Sequence, residues 1–189
     1  NRQAVQVTEG QEAGQPVIVL DNGWMRLKVA PRFSASLVAL EQAGVNHLLS
    51  AFPQAKPFVF WNPWYGGVGP VLLVLGSDND WPGEPGRLYE EEVGYSLLPP
   101  AGGDVPWVGV RCGSDLKHKD LRGIRLESDT LTVGGSNVVR VVTRIINTAT
   151  AARPLTCFVN GYLSPGGRYD NVVLHYGDRR TSFRAENNM

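Results

Sequence analysis

Histidine and cysteine are both scarce in this chain. His47, His118 and His175 are the only three histidines, and each lies far from the others in sequence. Cys112 and Cys157 are the only two cysteines, and neither belongs to a CxxC pair. A structural zinc site of the usual spacing is therefore excluded. HExxH, GxSxG and P-loop patterns are also missing, so no metalloprotease, hydrolase-elbow or nucleotide-binding chemistry is indicated. Charge of one sign is missing too: Lys plus Arg and Asp plus Glu number 18 each. Without a basic field there is nothing to draw a nucleic acid or an anionic membrane. No stretch approaches the roughly 18 apolar residues a spanning helix needs, and no secretory signal is recognisable in the residues given. Nothing calls for a cofactor or a metal.

What the chain has in quantity is turn formers and β-formers. With 22 Gly and 13 Pro spread without a repeat, it reads as many short strands joined by tight loops. Ala4–Thr8 and Val17–Asp21 read as strands separated by the polar turn segment EGQEAGQP. Asp21, Asn22 and Gly23 make a hairpin turn. From Trp24 to Ala30 the residues alternate, Trp24, Arg26 and Lys28 against Met25, Leu27 and Val29, so one side faces a core. SASLVALEQ reads as a further strand with a short helix as the competing assignment, and Gly44 turns the chain into Val45–Ser50. Val71–Leu75 is uniformly apolar, the pattern of a strand covered on both faces, which implies two layers. Leu88–Leu98, Pro106–Ser114, Leu121–Val133 and Val138–Thr148 follow, the last with its arginines on one face. LTCFVNGYL, VVLHY and TSFRAE bring the count to about a dozen. The fold class is all-β, a large antiparallel β-sandwich with residues 1–189 as one domain. The start at Asn1 and the stop at Met189 suggest a piece of a longer protein, so the sandwich is expected to be incomplete. Cys112 and Cys157 sit in apolar β runs and are expected to be buried free thiols, one disulfide being the alternative.

The stretch FVFWNPWYGGVGP, Phe58 to Pro70, concentrates aromatics where Pro63, Gly66 and Gly67 rule out a helix. Trp61, Trp64 and Tyr65 there either fill the core or form a stacking wall for a sugar, with Asn62 beside them. Asn160, Tyr162 and Arg168 offer a second group of hydroxyl-binding and stacking side chains. Trp24 and Trp107 read as core residues. Glu90, Glu91 and Glu92 are the main carboxylate cluster. Glu90 with Glu92 would share one sheet face as a paired acid and base, and a solvated acidic edge explains them as well and is the more frequent arrangement. Asp78 and Asp80 read as a plain turn. His47 reads as a satisfied core or edge residue.

Three segments carry a family resemblance. LDNGWMRLKVAPRFSASLVALEQAGVNHLL (Leu20–Leu49) resembles the first strands of galactose mutarotase-like domains, the supersandwich shared by aldose epimerases and by sugar-binding domains of glycan-processing enzymes. WYGGVGPVL (Trp64–Leu72) looks like the Gly-rich strand that follows there, and VVRVVTRIINTATAARPLTCFVNGYLSPGG (Val138–Gly167) is similar to the central hairpin. The resemblance implies a carbohydrate-recognition or scaffold domain. The epimerase acid is a His on the strand matching Leu155–Leu163, where this chain has Asn160, and the His-Gly-Gly segment has no counterpart between Asp78 and Gly94. Ring opening needs one group to take a proton and another to give one, and Asn does neither. The expectation is therefore a carbohydrate ligand, further domains of the same protein as partners, and no catalysis by this segment alone. An extracellular setting is favoured over a cytoplasmic one. A divergent carbohydrate-active enzyme using carboxylates such as Glu90, and a protein-interaction module docking through the aromatic corner, are the alternatives.

Overall fold

The computed structural model describes residues 3–55, 66–74, 91–100, 102–118, 121–168, 173–176 and 179–182. They form two antiparallel layers of strands, as an all-β sandwich requires. In chain order the strands are β1 (Gln6–Glu12), β2 (Gln15–Asp21), β3 (Arg26–Ala30), β4 (Ser36–Gln42), β5 (Val45–Asn46), β6 (Val68–Val74), β7 (Gly94–Leu98), β8 (Val108–Asp115), β9 (Ile124–Thr132), β10 (Val139–Asn147), β11 (Leu155–Gly161), β12 (Val173–Tyr176) and β13 (Arg179–Ser182). The larger sheet runs β1-β2-β3-β4-β6-β11, with β5 paired to β4, and the smaller runs β10-β9-β8-β7. β12 and β13 pair with each other.

Period-two alternation decides which side chains meet between the layers. Ile18 opposite Val29 and Leu20 opposite Leu27 place all four on one face, and all four are fully buried. Leu37 and Leu72 continue that face, while Val110, Cys112, Ile124 and Leu126 come from the smaller sheet to complete one core. Each such side chain contributes roughly 2 kcal/mol by leaving water. A second cluster of Val17, Ala30, Phe33, Val38 and Ala51 lies apart from it, where Phe33 and Phe52 meet edge to face at 5.3 Å.

Several local expectations are corrected. EGQEAGQP is not one polar turn: β1 and β2 run through most of it, and only Ala13 and Gly14, both at positive φ, make a two-residue turn of the primed type that matches strand twist. Within SASLVALEQ the expected strand forms as β4 and the competing helix does not, because its apolar residues are needed against both clusters; Ser34 and Ala35 lie in the turn before it at positive φ. Only Gly94–Leu98 of the Leu88–Leu98 strand is formed within the described residues. Val71 and Leu72 are both buried, as a strand covered on two faces should be. β6 starts after Gly67, whose φ of +72° and close approach to the Leu37 carbonyl admit no side chain. Both thiols are free, but only Cys112 is buried and Cys157 is exposed.

Candidate functional site

At one end of the sandwich three connections converge: the β2–β3 turn, the β9–β10 turn and the segment leading into β8. Asn22 ties the first two together. Its side chain is fully buried, and its Nδ2 donates to Thr132 Oγ1 (2.7 Å), Val133 O (3.1 Å) and Ser136 O (2.9 Å). Its Oδ1 accepts from the backbone N–H groups of Trp24 (2.9 Å) and Met25 (2.7 Å), and its carbonyl accepts from Gly135 N at 2.7 Å. A buried amide with its donors and acceptor matched in this way fixes both turns against each other.

The rigid turn holds Trp24 outward. Because β3 begins at Arg26, Trp24 sits at the turn tip and is 55 % exposed, which corrects its assignment to the core. Trp107, also read as a core residue, is half-buried and stands under Arg140, whose guanidinium lies 5.8 Å from the ring centroid. Between the two indoles is a cleft of about 620 Å³ walled by Val105, Val133, Val138 and the Gly134–Asn137 turn. Val105 and Val138 are themselves 43 % and 47 % exposed. Exposed apolar side chains scattered singly mean little, but three of them around one cleft form a patch. The exposed Asn137 adds a side-chain amide at the rim.

Beside the cleft, the outer face of the smaller sheet carries an ionic ladder. Asp129 is almost fully buried and takes Arg111 in two parallel bonds of 2.7 and 2.9 Å, with Arg144 at 2.6 Å. Burial pushes the Asp129 carboxyl up, but the two guanidiniums outweigh it and hold it below the usual carboxylate range. Arg125 pairs with Glu127 and Asp115. The ladder is a structural ion network, since every carboxylate in it is paired with an arginine.

The anticipated site residues fall differently. Trp61, Asn62, Trp64, Tyr65 and Glu90 lie outside the described residues, as do Asp78, Asp80 and Trp81. Asn160 and Tyr162 are brought together, the Asn160 amide donating to the Tyr162 hydroxyl at 3.1 Å. Arg168 follows a 3-10 turn at Pro165–Gly167 and is exposed. None of these three lines the Trp24–Trp107 cleft. Glu92 is exposed, but Glu91 is 5 % exposed and accepts from the backbone N–H groups of Lys117 (2.8 and 2.9 Å) and His118 (2.6 Å). The acidic run is therefore not simply a solvated edge, since its middle residue anchors a loop. Among the described residues no three His, Cys, Asp or Glu side chains are close enough to hold a metal ion.

The cleft was signalled only weakly in sequence, by Trp24 falling on the polar side of its alternation. Nothing local pointed to Trp107 or to the buried role of Asn22. No family model, curated protein or solved structure matches this chain.

Proposed function

We propose that this chain is a carbohydrate-recognition β-sandwich domain of distant galactose mutarotase-like type, and that the Trp24–Trp107 cleft is a contact surface for the sugar. The observation that carries the reading is the outward-facing indole of Trp24 on a turn immobilised by Asn22, facing Trp107 across an open cleft. Sugars present CH faces that stack on such rings, and hydroxyls that an amide such as Asn137 and exposed turn backbone can meet. A turn whose backbone is fixed before binding loses little freedom when a ligand arrives, which favours affinity. The amide at Asn160, already engaged by Tyr162, supports recognition over epimerisation, because an amide neither takes nor gives a proton. The aromatic corner at Trp61, Trp64 and Tyr65 is proposed as a further stacking wall.

Calorimetric titration with neutral and acidic oligosaccharides, on the wild type and on Trp24→Ala and Trp107→Ala, tests the reading. Loss of one stacking face should weaken binding about tenfold, the factor corresponding to ~1.4 kcal/mol. Unchanged binding in both variants would remove the cleft from the account. The apolar walls at Val105 and Val138 favour one other reading, a protein-interaction module, and this predicts association with a protein partner that Trp24→Ala abolishes while no glycan binds at all.

A further inference from the structure

The two layers end unevenly on the side away from β1 and β7. β11 is the last strand of the larger sheet, and its register with β6 sets Cys157 beside Leu72 and Val159 beside Pro70. Leu72 belongs to the core between the layers, so Cys157 and Val159 face the interior side of their sheet. Yet Cys157 is exposed and Val159 is 46 % exposed. The smaller sheet therefore stops short of β11. Its last strand on this side is β10, VRVVTRIIN, nine residues long, and among the described residues no strand pairs with its outer edge. A long, β-branched open edge beside uncovered core-facing residues is an arrangement folded proteins normally cover.

An element suited to cover it follows directly in the chain. Among the described residues β12 and β13 pair with each other and with no other strand, and an isolated two-stranded hairpin is at best marginally stable in water. It begins five residues after Arg168 in the chain, a sequence separation that keeps the hairpin within roughly 20 Å of Arg168 whatever path the chain takes. We propose that, from the open arrangement in which Cys157 and Val159 are exposed, the β12–β13 hairpin closes onto the outer edge of β10 as a fifth and sixth strand of the smaller sheet and covers both residues. Antiparallel pairing of β10 with the β10 of a second copy does not fit the same step. Each copy would carry its own overhanging β11 in the layer the other already occupies. Only a thin element fills the step, and the hairpin is one layer thick.

Cys157 reports directly on the docking. Cys112 stays silent near pH 8, since burial, with Asp129 nearby, pushes its thiol up to about 12. Alkylation by iodoacetamide, followed by mass spectrometry, should be slow at Cys157 in the full chain. It should be at least about tenfold faster both in a chain ending at Arg168 and in full-length Leu174→Pro, which breaks the β12–β13 pairing, a preference of ~1.4 kcal/mol. Far-UV circular dichroism checks that each variant keeps its two layers. Equal rates in all three proteins would overturn the proposal. So would protection that appears only with increasing concentration alongside a dimer in sedimentation, because a second copy would then be the cover. Hairpin-dependent amide protection on β11 without any change at Cys157 would also overturn it, placing the hairpin on the other edge.

Discussion

Replacing Asn22 by Ala should be among the most damaging single changes at the cleft end, and its size follows from the partners left behind. The side chain is 0 % exposed and serves two backbone donors, two carbonyls and one hydroxyl. Truncation orphans the Trp24 and Met25 N–H groups and the Val133 and Ser136 carbonyls. Water reaches those near the exposed tip, so about two groups remain both buried and unpaired, at roughly 1–3 kcal/mol each. A loss near 3 kcal/mol is a large share of the 5–15 kcal/mol typical of a domain, and should lower Tm by roughly 6–12 °C at this chain length. Guanidinium unfolding followed by circular dichroism at 222 nm and by tryptophan emission checks it. Asn22→Asp makes the reasoning sharper. It keeps the acceptor for Trp24 and Met25 but turns a lone pair and a charge toward Val133 O and Ser136 O. Burial without a cation raises the carboxyl pKa above its unfolded value. That variant should therefore be most stable at low pH and lose stability as pH rises through the unfolded and then the folded pKa. A loss under about 1 kcal/mol for Asn22→Ala would refute the view that this amide holds the two turns, since it would fall within the range of one ordinary hydrogen bond.

Two further outcomes follow from the ionic groups. Asp129→Asn should cost about 2 kcal/mol, less than a fully buried pair because Arg111 and Arg144 are over a third exposed and solvent screens them. The folded Asp129 pKa is depressed, so its stabilisation is present above the ordinary value of 3.8 and is lost as pH falls through the folded value. The gap between wild type and variant, measured by denaturant midpoints from pH 7 to 2, should accordingly narrow at acid pH. Glu91→Ala should free the loop after β8 at a cost of roughly 2 kcal/mol, read as faster tryptic cleavage after Lys117. Unchanged cleavage kinetics would mean that the three short contacts to Lys117 and His118 do not anchor the loop.

What the sequence made legible was periodicity. The alternation in Trp24–Ala30 assigned Leu27 and Val29 to the core, and the long run at Val138–Thr148 placed Arg140 and Arg144 on one face, because strand geometry is local. Turn chemistry was legible at Gly44, and less so at the Ala13–Gly14 turn or where Ala13 and Ala43 adopt positive φ at a steric cost. The burial of Asn22 was not legible, since an Asp-Asn-Gly tripeptide is a sufficient turn by itself. The Thr132 hydroxyl that Asn22 reaches lies 110 residues away. Glu91 was hidden for the same reason, as its partners lie on a loop 26 and 27 residues further on.

Periodicity states which face a residue shares, but not whether another layer arrives opposite it, and that distinction separates Leu72 from Cys157. The two are cross-strand neighbours on one face, yet one is sealed and the other open. Both candidate contact surfaces, the Trp24–Trp107 cleft and the flank beside β10, therefore lie where the smaller layer ends. A sandwich with unequal sheets leaves apolar surface at its margins, and that surface must be closed by the chain itself or by a ligand. The tip beside Asn22 is held rigidly open, which suits a ligand that comes and goes. The flank beside β10 has a strand pair that follows β11 closely in the chain, which suits closure from within.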